Sequence, residues 1–305
     1  MRVLDDQIYR LSPDLESRSA VAVGEVFACL TRDASGDQIG EGLDFADLDP
    51  ARVFPVNGPI SIAGVKAGDA VGIEIRAIVA AEWGHTWTRP GLGVSAPASP
   101  HVRRLSSRQP LIAWGGAPIA VAPQLHVGTI GLVPIVATEP RNLGVYGGNL
   151  DSVLCGVGSI IWITAQVDGG GLFVGDVHAA MGDAEVCGTG IEVAARLELS
   201  VRTHRGWAPT FPTIYRDEKT WLVVDGDDFD EALRRGVNEC TQLLATHSGM
   251  AYEDAYLAAG LLLEVRVCQV VNSRRSLAVS LSGGADAALA QPRGHEISDV
   301  GYTQR

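Results

Sequence analysis

Punctuation constrains this chain more than any other feature. Up to about residue 228 its apolar runs are short, and Gly, Pro, Asn or Asp closes each within a few residues. A stable helix needs roughly 10–14 residues of sustained 3.6-residue periodicity. Runs this brief read instead as strands joined by tight turns. The 36 glycines and the low aromatic content of 6% fit the same reading. Strands are expected at 20–30, 71–78, 118–125, 129–136, 158–167, 171–174 and 192–203. Short strands with turn signals this frequent predict an all-β sandwich for the N-terminal part. Residues 83–104 depart from the pattern. They are rich in Gly, Pro and Ser without periodicity, and read as a long loop serving as a lid or a subunit contact.

The pattern changes near residue 228. Asp228 followed by Glu231 has the form of an N-cap with its capping-box partner. Phe229, Leu233, Val237, Cys240 and Leu244 then fall on one helical face. A second helix is expected from about 252 to 263, then strands at 264–271 and 276–281, with little to organise the tail beyond Gly283. The fold class expected is mainly β with an α+β C-terminal part: a β-sandwich body packed against a smaller α/β portion. Residues 1–220 would form the β-rich body carrying the catalytic motifs and 221–305 the C-terminal portion. No linker composition separates them, so a single domain is the alternative.

Charge and cysteine usage limit the partners. A net charge of -12 argues against nucleic acid or an anionic membrane, since binding either requires a basic surface. A small neutral or cationic ligand remains compatible. No apolar run reaches the ~18 residues that would span a bilayer, and the first ten residues, with Asp5, Asp6 and Arg10, do not read as a leader. The five cysteines, at 29, 155, 187, 240 and 268, are odd in number and lack C-x-x-C spacing. They read as reduced thiols of a cytoplasmic protein.

Motifs concentrate between Gly147 and Glu192. Polar clusters flanked by glycine, Asn149-Leu150-Asp151 and Asp176-Val177-His178 with Asp183-Ala184-Glu185, bracket a buried apolar run. With Asn57-Gly58-Pro59-Ile60, Ala67-Gly68-Asp69, Gly188-Thr189-Gly190-Ile191-Glu192 and Cys268-Gln269-Val270-Val271-Asn272 they form an ordered set. In these motifs the chain resembles the acetamidase/formamidase family, over roughly residues 20 to 280. The resemblance implies hydrolysis of a short aliphatic amide, a divalent metal, a β-sandwich body with an α+β portion, and homo-oligomers. The chain departs from the family pattern in places. Ala184 stands where its GDGE has glycine, Gly190 where its GTA-[IV]-E has alanine, and Phe54 where its HP-x-TGPI has histidine. The changes at 184 and 190 leave open a relative that binds a small amide without turnover, while low basicity and apolar loop content leave room for a cyclic amide (a lactam) as substrate.

Amide hydrolysis requires a nucleophile, a stabiliser for the developing oxyanion and an acid for the departing nitrogen. A metal ion held by His and carboxylate groups supplies the first two. Asp151, Asp176 and His178 are the candidate ligands, because Asp176 and His178 in an extended segment share one face. Zinc is the expected ion, with calcium the alternative if oxygen ligands dominate. Asp183 and Glu185 would likewise project together if extended. Glu185 is the candidate base and later acid, with Asp183 and Asp151 completing the catalytic set. Asn149, Asp33 and Gln269, from separate matched segments, are candidate substrate-binding residues. Each has a plainer reading as a turn carboxylate, a core histidine or a structural amide, and Glu192 reads equally as an exposed strand residue. Cys187 reads as a small buried hydrophobe, since its neighbours Asp183 and Glu185 would disfavour a thiolate. His85 and Trp87 read as shaping the cavity or an interface, and His126 and His247 as structural.

Overall fold

In the computed structural model, which describes residues 1–39, 48–95, 97–114 and 117–290, the apolar alternation resolves into two main sheets. The larger has nine strands, in the order Arg2–Leu4, Val26–Thr31, Ala195–His204, Ala70–Ala80, Ile160–Thr164, Thr213–Arg216, Lys219–Gly226, Arg275–Leu281 and Leu263–Gln269. The smaller has seven. Its path runs Leu143–Gly144, Gly147–Asn149, His126–Leu132, Leu172–His178, Val56–Ile62 and Gln7–Ile8, with Ser19–Val21 alongside Val56–Ile62. Inward side chains of both sheets, among them Phe27, Ile73, Ile161 and Leu199 from one and Ile60, Ile130, Leu172 and Val174 from the other, form one core. Each such side chain contributes about 1.5–3 kcal/mol when fully buried. The expected mainly-β architecture with a helical C-terminal part is what the chain adopts.

The C-terminal helices cover one end of the larger sheet. Helix α1, Phe229–Ser248, begins at Asp228, whose side chain accepts from the Glu231 amide at 2.8 Å. Glu231 reaches back to the amide of Asp227, one residue before the cap. The buried face is Ala232, Gly236, Cys240 and Leu244, so the stripe is rotated from the expected one and Phe229 stays exposed. Gly236 explains the rotation. A Cβ there would lie 3.0 Å from Val279 and 3.2 Å from Val224, so α1 rests on the sheet through a glycine. Helix α2, Tyr252–Leu262, leads into the edge strand Leu263–Gln269. The strands at 219–226, 263–269 and 275–281 all belong to the nine-stranded sheet, which therefore runs across residue 220.

Several strand boundaries differ from the sequence reading. The run at 20–30 divides at the turn Ala22–Glu25 into Ser19–Val21 and Val26–Thr31, which join different sheets. The strand expected at 129–136 is His126–Leu132, ending before Pro134, and the one at 118–125 shrinks to Ala117–Ala120, paired with Leu111–Trp114. Residues 83–104 are not a loop. Trp83–Thr88 and His101–Ser106 form an antiparallel hairpin, with the Arg104 guanidinium 4.6 Å above the Trp83 ring. Neither of its faces is fully buried, so it lacks the apolar alternation by which a half-buried strand is read. Beyond Gly283, a short turn at Ala285–Ala288 buries Ala288 and Leu289 against the helices. The expectations for Ala96 and for the tail from 291 onward lie outside the described residues.

Candidate active site

The strand Leu172–His178 is buried along its whole length at the centre of the smaller sheet and ends in Asp176, Val177 and His178. Its neighbour His126–Leu132 sets His126 opposite His178 and Gly128 beside Asp176. Glycine is required at 128: a Cβ would lie 2.6 Å from Asp176 Oδ2 and 2.8 Å from Asp151 Oδ1. The Gly128 carbonyl in turn accepts from the amides of Leu150 and Asp151. Asp151 and Asp176 both adopt left-handed backbone, at φ 44° and 57°, a conformation costly for non-glycine residues and concentrated at functional sites. Asp176 and His178 do meet, with Nε2 and Oδ1 3.6 Å apart. The two lie two residues apart in a strand whose register against His126–Leu132 is unshifted there, as alternation expects, although Asp176 itself is left-handed.

A hydrogen-bond relay fixes the histidines. His126 Nδ1 lies 2.7 Å from the Gln124 carbonyl, which can only accept, so His126 is protonated there. Its Nε2 is then free to accept from His178 Nδ1 at 3.1 Å. His178 Nε2 is thereby turned toward Glu192 Oε1, at 3.1 Å, and Asp176 Oδ1. On the other side of the site, Asn149 Nδ2 donates to Asp151 Oδ2 at 2.5 Å and Asn272 Nδ2 donates to the same oxygen at 3.3 Å. Thr129 donates to Asn149 Oδ1 at 2.6 Å, orienting that amide.

The electrostatics follow from this crowding. Burial works against a charge on His178, but Glu192 and Asp176 outweigh it and raise its pKa well above the ordinary imidazole range. Asp176 is likewise opposed by burial, yet His178 holds it below the usual carboxylate value. Burial pushes Glu185 up to about 8 and Glu192 up to about 7, and raises Asp151 strongly, with Glu185 and Asp176 adding to it. Burial and the neighbouring His178 lower His126 to about 3, in keeping with its neutral place in the relay.

Two overlapping groups can hold a cation: Asp151, Asp176 and His178, and His178, Glu185 and Glu192, with the ligand atoms of each group within 4.8 Å of one another. Asp151 Oδ1, His178 Nε2 and Glu192 Oε2 are buried without hydrogen-bond partners. This convergence of an imidazole and carboxylates fits a divalent metal, which would take the place of the proton on His178 Nε2. The site opens into a cavity of about 740 Å³, whose wall includes Asn149, Asp176, Glu185, Glu192 and Asn272.

Not every candidate joins this centre. Asp183 points away, half exposed and bonded to Arg266 Nε at 3.0 Å. Ala184 and Glu185 are both left-handed, at φ 73° and 48°, so the two carboxylates are not on one extended face, and only Glu185 is buried in the site. Gln269 accepts from the Val271 and Asn272 amides and shapes the turn that presents Asn272. Asp33 is bonded to Ser35 and Asp37 within its own loop, 3.9 Å from His85. Cys187 is exposed rather than buried, its thiol donating to the Thr189 carbonyl at 3.2 Å. Glu192 is buried, not exposed, because the backbones of His85 and His178 both bridge to it. Reading by sequence also missed Thr129 and Asn272, although Asn272 closes the last matched motif.

The chain matches the model of the Acetamidase/Formamidase family over residues 4–139 and 136–281. A formamidase of Methylophilus methylotrophus is 25% identical, across 75% of this chain and 74% of that protein. The crystal structure of an acetamidase from Bacillus halodurans superposes with a TM-score of 0.86 at 25% identity, covering 91% of this chain and 96% of that one. A recombinant predicted acetamidase/formamidase from Thermoanaerobacter tengcongensis gives 0.84 at 26% identity, covering 92% and 95%.

Proposed function

This chain belongs to the acetamidase/formamidase family, and from that premise we propose that its acidic centre hydrolyses a short linear amide with the help of a divalent metal. Water and the amide yield a carboxylate and ammonia. The enzyme is an amidohydrolase. The observation that carries it is the pair of ligand groups sharing His178, with orphaned atoms on Asp151, His178 and Glu192, beside a cavity that Asp176, Glu185 and Glu192 line.

Asp151, Asp176 and His178 would hold the cation, and zinc suits a set that pairs imidazole with carboxylates. Calcium prefers more oxygen ligands than this set offers. When bound, the metal acidifies a water and polarises a carbonyl. The remaining steps belong to the protein. Glu185, buried yet facing the cavity, removes a proton from the attacking water and returns it to the departing nitrogen. Asn149 and Asn272 keep Asp151 aimed at the site, and His126 keeps the His178 tautomer with Nε2 inward. Cys187 is not needed. The exposed Tyr256, Leu257 and Leu261 of α2, the last 87% exposed, favour a homo-oligomer, which light scattering would report.

The test is ammonia release from formamide, acetamide and a small lactam, with metal analysis of the same sample. Turnover should fall on chelation and return with one ion. Asp151→Asn should lower it by at least about 100-fold with the circular dichroism spectrum unchanged. Glu185→Gln should remove turnover and leave the metal bound. Ammonia release that survives both replacements would overturn the assignment, and bound metal with no ammonia from wild type would mark a binding protein.

A further inference from the structure

The cavity is far larger than the chemistry at its base requires. A four-heavy-atom amide fills on the order of 100 Å³, against about 740 Å³ available. What lines the excess volume is selective. Phe54, Trp87 and Leu92 supply apolar wall, and two exposed arginines, Arg89 and Arg141, complete the lining. Two cations in one cavity need a reason, in a chain whose net charge is -12. Among the described residues neither is ion-paired with a carboxylate. Arg141 instead lies with its guanidinium carbon 5.4 Å over the Phe54 ring. That ring is held at some cost, since Phe54 has φ 62°, a conformation a bulky side chain seldom adopts, and its amide is anchored to the Ala34 carbonyl at 2.8 Å.

We infer that the preferred substrate is the monoamide of a dicarboxylic acid: the amide end lies at the acidic centre, the methylene chain along Phe54, Trp87 and Leu92, and the free carboxylate on Arg89 and Arg141. This rests on the amidohydrolase reading of the site and specifies its acyl group. The physical case is one of charge. The floor of the cavity, with Asp176, Glu185 and Glu192, repels an anion. An anionic substrate is therefore admitted only if its charge lies away from the floor against a compensating cation. Guanidinium groups are suited to this, because they are planar, always charged and able to bind a carboxylate through two parallel hydrogen bonds. Arg89 follows the hairpin strand Trp83–Thr88, and Arg141 precedes Leu143–Gly144, so the two come from separate segments. The apolar wall gains from covering methylene groups, which formamide lacks and acetamide barely offers.

The test is a set of matched amides given to the wild-type enzyme, with ammonia release followed in each. Formamide and acetamide set the baseline. Succinamic, glutaramic and adipamic acids are then compared with methyl-terminated amides of equal length. At least one acid should exceed its methyl-terminated counterpart by about 10- to 100-fold in kcat/KM, with the difference in KM. That ratio should fall toward one in Arg141→Gln and in Arg89→Gln, with Arg141→Lys retaining part of it. Should a variant fail to fold, the wild type alone is informative, because raised salt should shrink the ratio through screening. Equal rates for the charged and uncharged partners, or a ratio indifferent to both replacements and to salt, would overturn the inference while formamide or acetamide turnover left the amidohydrolase reading standing. No ammonia from any amide would overturn both.

Discussion

Ala184 and Glu185 show how single backbone angles aim a catalytic group. Both sit in the left-handed region, at φ 73° and 48°, where an L side chain costs roughly 1–2 kcal/mol per residue. The conformation persists because Ala184 bridges Gln269, its amide donating to the Val267 carbonyl and its carbonyl accepting from the Val270 amide. Strain held by neighbouring structure is the usual companion of a functional side chain, here the carboxylate of Glu185. Ala184→Gly should relieve the strain and keep the bridge. Part of the gain is lost to the greater freedom of glycine in the unfolded chain, so a net stabilisation of about 0.5–1 kcal/mol is expected. Urea denaturation would measure it, and a destabilised variant would show that the methyl group is needed for packing. The residue scale is also where the sequence was least informative. Two-residue spacing suggested that Asp183 and Glu185 act together, and that spacing has meaning only in extended backbone.

At the scale of elements, long-range pairings decide. Glu74, on strand Ala70–Ala80, lies opposite Ser200 of Ala195–His204 and accepts from Ser200 Oγ at 2.8 Å and from Arg202 at 3.0 Å. Burial opposes its charge, but these bonds, with Arg76, leave its pKa below the ordinary value. A carboxyl whose folded pKa is depressed stabilises the fold above its unfolded pKa, about 4.3. That contribution is lost as pH falls through the folded value. Glu74→Gln should therefore lower the melting temperature at pH 7 and converge with wild type once pH falls below the depressed folded pKa; parallel curves at all pH would refute the linkage. Helix α1 makes a second case. Its glycine contact with Val279 and Val224 leaves no room for a side chain, so Gly236→Leu should cost about 1–3 kcal/mol or more. A variant with an unchanged urea midpoint would mean that α1 can lift from the sheet without penalty. The helix itself was legible through its Asp228 cap. The identity of its buried face was not, since that depends on the small residue chosen to meet the sheet.

Across the whole molecule the site joins segments that fold as parts of different layers. Asn149 and His178 belong to the smaller sheet, Asn272 lies between the last two strands of the larger, and Glu192 precedes strand Ala195–His204 of the larger. A cation bound at the centre would tie the sheets together, and binding to the folded state alone stabilises it by mass action. Adding zinc to metal-free protein at 100 times its dissociation constant should raise stability by about 2.7 kcal/mol. Asp151→Asn should lose most of that rise, as thermal melts with and without metal would report. An equal rise in the variant would move the ion to another site.

What the sequence determined by itself was local and periodic. Strand punctuation up to residue 228, the capped helix after it, and ordered motifs carrying Asp151, Asp176, His178 and Glu185 were all readable, and the structure gathers these four side chains at one centre. The tertiary structure alone decided the rest. It brought in Glu192, Asn272, Thr129 and His126, turned Asp183 out toward Arg266, and made a wall of the hairpin at 83–106. The reason is physical. A side chain's direction depends on one or two backbone angles at its own position, and its neighbours depend on which distant strands pair. Neither is encoded in residue types at a fixed spacing.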